Sequence, residues 1–394
     1  MRCVGTVVRG IRTPIIKEND DLATIVVDSL MNAKEAEGFE FKDKDVVAIT
    51  EAVVGISEGN YVTVDDVAED LQNKFPSKKI GVVNPILSRN RFSIVLKGIA
   101  RGMDKITLLT SFPADEVGNG ILDEDTLEKS EFNLGSVISE DEYKKTFGSW
   151  LHPFTGINMI DFYRELIESE DCEVEFVLSN DIKTILDYSK DVLTCDIHTR
   201  EKSTKLLKSL GANVYGLHQV LTEPVNSSGC NPDYGLLGSN KATEERLKLF
   251  PKTGDKLVKE VQKRLIEKTG KQIEVMVYGD GAFKDPVGKI WELADPVVSP
   301  AHTDGLIGYP NEIKLKYVSD NKFADLKGDE LKEAIKEEIK TKDENLTGQL
   351  ITEGTTPRVL TDLIGSLCDL TSGSGDKGTP VIFIQGYFDN LACD

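Results

Sequence analysis

The stretch GINMIDFYRELIESEDCEVEFVLSN (Gly156–Asn180) reads as a helix followed by a buried strand. The same alternation continues downstream. DIKTILDYS is helix and DVLTCDI strand, and then REKSTKLLKSLG is helix and ANVYGLHQVL strand. Short apolar strands alternating with amphipathic helices predict a parallel sheet. Upstream, KKIGVVNPIL (strand), RFSIVLKGIARGM (helix) and DKITLLTSF (strand) keep the same α/β-like order. Residues 113–148 are acidic and polar and predict surface loops with a short helix. No glycine-rich dinucleotide loop joins these elements, so their alternation is evidence of scaffold and not of cofactor.

The flanks have a different texture. Near the N-terminus, CVGTVVRG is β-prone, and DLATIVVDSLMNAKEA places Leu22, Ile25, Val26 and Leu30 on one helical face. Asp20 or Asp21 can cap that helix, because a carboxylate accepts from the free N–H groups there. KDVVAITEAVVG reads as one nearly continuous apolar strand interrupted by Glu51, with ISEGN as its closing turn. From about residue 226 comes a Gly-, Asn- and Ser-rich loop, then the helix GDKLVKEVQKRLIEKTG, the strand KQIEVMVYGDG, a charged surface helix, a helix started at Pro357 and the final strand TPVIFIQG. The expected organisation is α+β. A mixed-sheet scaffold is built from 1–78 and 226–394, with an inserted α/β domain over 79–225.

Charge and composition narrow the function. A formal net charge of -20 argues against nucleic acid as a main partner. An acidic protein acting on an anionic substrate often bridges the two with a divalent cation. No run of eighteen apolar residues exists, so no membrane span is expected, and the start MRCVGTVVRG lacks the marks of a signal peptide. The six cysteines form no CxxC pair and fit a reducing cytoplasm.

Several loops could carry chemistry. In VYGDG, Asp280 ends an apolar strand between Gly279 and Gly281. It is either a magnesium or manganese ligand facing a nucleotide phosphate or the centre of a Gly-Asp-Gly turn. Asp304 is a weaker second acidic candidate. GLLGSN offers Ser239 and Asn240 with backbone N–H groups for a phosphate, or else a helix cap. Arg89 and Arg91 could clamp a phosphate bidentately, or lie on the surface. Asp20 and Asp21 are caps or ligands. Glu51 faces water or pairs with a cation, and Glu58 orients a phosphate-binding group. SGSGDKG (Ser372–Gly378) lacks the spacing of a Walker A loop. Cys195 and His198 lie three apart on a strand end, which points them to opposite faces.

Taken together, Arg12-Thr13-Pro14-Ile15, Asn19-Asp20-Asp21-Leu22, Glu58-Gly59, Gly235–Asn240, the Thr269–Lys271 helix end and the strand Pro380–Gly386 resemble the coenzyme F420-0:gamma-glutamyl ligase family. The resemblance covers roughly residues 1–65 and 233–386, with the middle as extra material. It implies an enzyme that uses GTP and magnesium or manganese to join the amine of glutamate to an acceptor carboxylate through an acyl phosphate. It implies that the Arg12 turn with Asp20 and Asp21 forms part of the nucleotide or substrate cleft and that the acidic strand end at Asp280 lies at the metal. Our full expectation adds Asp304 to Asp280 at the metal, gives Asp280, Asp304 and Arg12 the catalytic roles, and puts Asp20, Asp21, Glu58, Ser239, Asn240, Arg89 and Arg91 at the nucleotide, the two arginines by their own chemistry and outside the resemblance. The resemblance also implies small-molecule carboxylate and amine substrates and a homodimer. Lys284-Asp285-Pro286 occupies the region of the family's Arg-x-Gly run, and Asp280 is one position out of register with the family's strand. Two further positions depart from the pattern. Leu237 stands where the family carries a metal-binding aspartate, and Gln385 where it carries an arginine. These leave open a second reading, a ligase-like binding protein that has lost phosphoryl transfer. A third is a deazaflavin- or flavin-using oxidoreductase section in the middle.

Overall fold

The structure is a computed structural model. It describes every residue except 1–2, 89–90, 153–154, 198, 280–281, 285–290, 294–297, 353–358, 372–375 and 394, and the backbone alone at 282–284, 291–293 and 298. The N-terminal stretch carries β1 (Val7–Ile11), α1 (Leu22–Glu37), β2 (Val46–Thr50), α2 (Glu51–Glu58), β3 (Tyr61–Thr63) and α3 (Val64–Lys74). Next come β4 (Lys79–Val83), α4 (Phe92–Gly102), β5 (Lys105–Thr110), α5 (Glu124–Lys129), β6 (Ile138–Ser139) and α6 (Glu140–Phe147). They are followed by α7 (Met159–Glu168), β7 (Glu173–Leu178), β8 (Asp191–Thr194), α8 (Arg200–Ser209) and β9 (Asn213–Gly216). The chain continues with β10 (Asn240–Lys241), β11 (Arg246–Lys248), α9 (Gly254–Thr269), β12 (Glu274–Gly279), β13 (Ala282–Lys284), β14 (Trp291–Leu293) and β15 (Val298–His302). It closes with α10 (Leu315–Asn321), α11 (Gly328–Thr341), α12 (Leu360–Thr371) and β16 (Val381–Gln385). The architecture is mixed α+β.

The chain forms two compact units. One comprises Met1–Val54, Thr253–Gly281 and Val297–Asp394, and the other Gly55–Lys252 and Ala282–Pro296. The first unit is built on a five-stranded sheet in the order β1-β16-β2-β12-β15. Only β2 and β12 run parallel; the other neighbours are antiparallel. Strand alternation gives this sheet two buried faces. Val46, Ala48, Met276, Tyr278, Ile382 and Ile384 pack against Leu360, Ile364 and Cys368 of α12. On β16, the intervening Phe383 instead stacks with Phe39 and Phe41. Helix α1 starts where Asp21 accepts from the Thr24 N–H at 3.1 Å, and ends at Gly38 in the left-handed conformation. Its Val26, Val27 and Leu30 are sealed from water, and each such side chain contributes about 1.5–3 kcal/mol.

One boundary differs from the sequence reading. The apolar run after Asp45 does not continue as strand through Glu51. It turns into helix α2 at that residue. A carboxylate in the first turn suits a helix start, and an apolar run alone cannot distinguish a buried strand from a buried helix.

The second unit holds a six-stranded sheet ordered β6-β7-β5-β4-β8-β9, parallel except at the short edge strand β6. Helix α4 covers one face, where Ile94, Leu96 and Ile99 meet Ile80, Val82, Ile106 and Leu108. Helix α8 covers the other, where Leu207 meets Val83, Leu109, Val192 and Val214. A three-stranded sheet, β10-β11-β3, lies in the same unit.

Candidate functional site

The register of the first unit's sheet decides which candidates meet. Ile11 pairs with Val381, Val381 with Ile49, and Thr50 with Tyr278. One end of the sheet therefore gathers Arg12, Pro380, Thr50-Glu51 and Gly279. Arg12 is exposed there. It follows β1, two strands from β2, which is about 10 Å across at ~4.8 Å per strand. Gly378 reaches the same end, since its carbonyl accepts from the Thr13 N–H at 3.3 Å, while 372–375 of the glycine-rich segment lie outside the described residues.

Glu51 brings an acidic side chain to this end, and it is 4% exposed. Its stem lies directly over Gly279. A Cβ added at Gly279 would fall 2.2 Å from Glu51 Cγ. The glycine is what admits the carboxylate arm, a close approach that no other residue type allows. Magnesium and manganese at phosphate sites take one or two carboxylates and fill the rest of their shell from phosphate and water. Glu51 supplies such a donor, so the chemistry of this end fits a hard cation. Asp280, the next residue along from Gly279, lies outside the described residues, as does Arg89. Among the described residues no three His, Cys, Asp or Glu side chains cluster as metal ligands.

Asp304 is at the opposite end. The Thr303 N–H donates to the Val275 carbonyl at 2.9 Å. Gly279 lies four residues further along β12, about 13 Å away at ~3.3 Å per residue. Asp304 is exposed and does not share an end with Gly279. Gln385 is also at this far end, 8% exposed, donating to the Glu40 carbonyl at 2.9 Å and to Asp45 Oδ2 at 3.1 Å. Its Oε1 accepts from Arg9 Nη1 at 2.7 Å. Burial pushes the Asp45 carboxyl above its ordinary range. Gln385 is therefore a structural clasp, and its identity does not alter the end that holds Glu51.

Asp20 and Asp21 serve local structure. Asp20 Oδ2 accepts from the Lys17 N–H at 2.7 Å. Asp21 accepts from the Thr24 hydroxyl at 2.7 Å and from its N–H, and pairs with Arg264 at 3.3 Å. The bonds from Thr24, helped by Arg264, hold its carboxyl below the usual range.

In the second unit, Glu58, Ser239 and Asn240 belong to elements knitted together by backbone and amide bonds. Glu58 Oε2 accepts from the Lys252 N–H at 3.0 Å. Asn240 pairs with Lys248, and Lys248 with Tyr61. Sequence reasoning missed the two residues that pin the Asn- and Gly-rich loop. Asn60 donates to the Phe250 carbonyl at 2.9 Å and accepts from the Cys230 N–H at 3.1 Å. Asn231 donates to the same carbonyl at 3.0 Å and accepts from the Asp233 and Tyr234 N–H groups. Ser239 is 4% exposed, and its Oγ has no hydrogen-bond partner among the described residues. Leu237, only 9% exposed, packs in the apolar core of this unit, where a cation could not be solvated. Arg91 opens helix α4.

No described helix is long and apolar enough to cross a membrane. Comparison with curated proteins gives no match. The sequence model of one family, F420-0:Gamma-glutamyl ligase, matches residues 10–386. That span takes in both units, from the turn at Arg12 to the last strand of the first sheet. The chain is a member of the F420-0:Gamma-glutamyl ligase family.

Proposed function

We propose that this protein is a GTP- and divalent-metal-dependent acid–amine ligase, forming an amide between an acceptor carboxylate and L-glutamate or a related amine. The observation that carries the reading is the sheet end where Arg12, Glu51 and Gly279 come together, with Asp280 next in the chain. A carboxylate is a poor electrophile. Transfer of the γ-phosphoryl group makes it an acyl phosphate, and attack by the amine then releases phosphate and forms the amide. Glu51 and Asp280 would hold magnesium or manganese, which when bound neutralises charge on the transferring phosphates. Glu51 is kept in one place by its burial against Gly279. Arg12 supplies a fixed positive charge for phosphate or for the developing oxyanion. Glu58, Ser239 and Asn240 are assigned to the nucleotide. The six free cysteines fit a reducing cytoplasm, and a homodimer is part of the same reading.

The experiment is calorimetric titration of GTP and of ATP, each with and without manganese, followed by phosphate release with glutamate and a panel of carboxylates. Metal-dependent binding that prefers GTP supports the ligase. Absence of nucleotide binding under every metal condition refutes it. Leu237 favours a second reading, a ligase-like binding protein without phosphoryl transfer, since this chain buries leucine where the resemblance puts a metal-binding aspartate. That reading predicts small-molecule binding with no phosphate release.

A further inference from the structure

The small sheet β10-β11-β3 has two chemically different faces. Arginine, leucine, lysine and leucine alternate over 246–249, and Leu247 and Leu249 enter the apolar core of the second unit with Val62. Arg246 and Lys248 therefore point to the other face. Directly across from Lys248 stand Asn240 on β10 and Tyr61 on β3, each about 5 Å away on that same face. Arg246 lies diagonal to Tyr61 and holds its guanidinium carbon 4.4 Å from the centre of the ring. A guanidinium, an ammonium and an amide thus share one patch, and all of it lies within the second unit.

The hairpin's own acids are engaged with other cations. Glu244 pairs with Lys241 at 2.6 Å, and Glu245 pairs with Arg101 at 2.7 Å and with Lys97. Arg246 is exposed, and its guanidinium has neither an ion pair nor a hydrogen bond among the described residues. In a chain of formal net charge -20 carboxylates are plentiful, yet this arginine is fixed over a ring instead. The Asn240 amide is half-buried and is also without a hydrogen-bond partner among the described residues. Lys248 is held by packing. A Cβ added at Gly55 of α2 would fall 3.3 Å from Lys248 Cδ, 3.4 Å from its Cγ and 3.0 Å from the Leu249 carbonyl oxygen. The glycine lets the lysine stem lie against the helix.

A guanidinium fork matches phosphate oxygens two at a time, and an ammonium meets them as a point charge. Arg246 and Lys248 are two residues apart on one face, about 7 Å at ~3.4 Å per residue, so together they suit a ligand that carries several linked negative groups. We propose that this face binds the phosphates of GTP, with Arg246 and Lys248 supplying positive charge and Asn240 a hydrogen bond, a role that rests on the placement of Asn240 at the nucleotide in the ligase reading. Tyr61 is a positioning residue that holds the Arg246 guanidinium.

The test is calorimetric titration of GTP with manganese on the full chain and its variants. Arg246→Gln removes charge from an exposed side chain, so the variant folds, and Lys248→Met keeps the stem that packs on Gly55. Each should bind GTP about tenfold more weakly, the loss of one charge-assisted hydrogen bond. Arg246→Lys restores the charge and should bind within about threefold of the wild type. Lys241→Ala, on the same hairpin but opposite Leu247, should bind within about twofold. A merely structural part for Arg246 would lower the urea midpoint of Arg246→Gln and leave its GTP affinity unchanged. In turnover, Arg246→Gln should leave the KM for glutamate unchanged. The proposal is overturned if Arg246→Gln or Lys248→Met binds GTP within about twofold of the wild type. It is also overturned if Arg246→Gln raises the KM for glutamate alone, which would put the amino acid's carboxylates on this face. Failure of the wild type to bind GTP overturns it together with the ligase reading. GTP binding without phosphate release removes the ligase reading and leaves this face as the nucleotide site.

Discussion

Replacing Gly279 with alanine tests whether that glycine exists to admit Glu51. The new Cβ would lie 2.2 Å from Glu51 Cγ and 3.3 Å from its Cβ and Cδ. Ordinary carbon contacts are about 3.5–4 Å, so Cγ must retreat by roughly 1.5 Å or β12 must shift. Both partners are buried, and β12 is tied to β2 and β15, so neither moves freely. Overpacking of this kind costs about 1–3 kcal/mol, offset by ~0.5–1 kcal/mol because alanine suits a strand better than glycine. The expected net loss is about 1–2 kcal/mol in urea unfolding. Truncating Glu51 to alanine in the same chain removes the clash. A double-mutant cycle should therefore show a coupling of about 1–3 kcal/mol. Displacing the carboxylate should also weaken manganese-dependent GTP binding at least about tenfold, read by calorimetry. An additive cycle, together with unchanged stability for Gly279→Ala, would refute the reasoning.

The other predictions use the same two assays. Arg12→Ala should lower GTP affinity about tenfold with stability held within ~0.5 kcal/mol, whereas Asp304→Ala should leave both unchanged; equal effects would abolish the distinction between the sheet's two ends. Gln385→Ala strips hydrogen bonds from Asp45 and Arg9 and should cost about 1–3 kcal/mol in urea without changing GTP turnover. Leu237→Asp should lose about 3 kcal/mol or more and gain no manganese affinity, since the new carboxylate lies among apolar side chains; tight manganese binding by this variant would show that the position reaches a metal. The Arg101 and Lys97 side chains hold Glu245 down at about 2, against an ordinary 4.5. A lowered folded value means that its contribution is complete above pH 4.5 and is lost as pH falls toward 2. Glu245→Gln should flatten that acid limb slightly, because half-exposed pairs are weak.

Local signals were legible where one residue decides the outcome. The start of α1 falls at Asp21, one of the two aspartates that cap chemistry offered, and β7, β8 and α8 fall where apolar alternation puts them. Glu51 was harder, because VVAIT and EAVVG look alike in composition and only tertiary packing separates strand from helix. Long-range pairing was not legible at all. Asp304 follows β15, which runs antiparallel to β12, so strand pairing and not chain position sets it at the end of the sheet away from Gly279. The placement of β8 beside β4 is likewise a property of strand order, and no local pattern announces it. Nothing in the single asparagines Asn60 and Asn231 signals that each pins a loop.

The pairing of β1 with β16 has a consequence for synthesis. The strand VVAIT lies between β16 and β12, and its two neighbours are made long after it. At ~5–20 residues per second, roughly 15–70 s pass between emergence of β2 from the ribosome and emergence of β16. Until β12 is made, a short, uncharged, β-branched segment waits with both edges open, and until β16 arrives one edge stays open, the kind of segment that pairs with other chains. Most of the second unit is contiguous and is able to fold during the wait, while the first stays incomplete until its last strand arrives. Slowing translation anywhere between residues 50 and 380 should therefore lengthen this wait and raise the burden on chaperones that shield nascent strands.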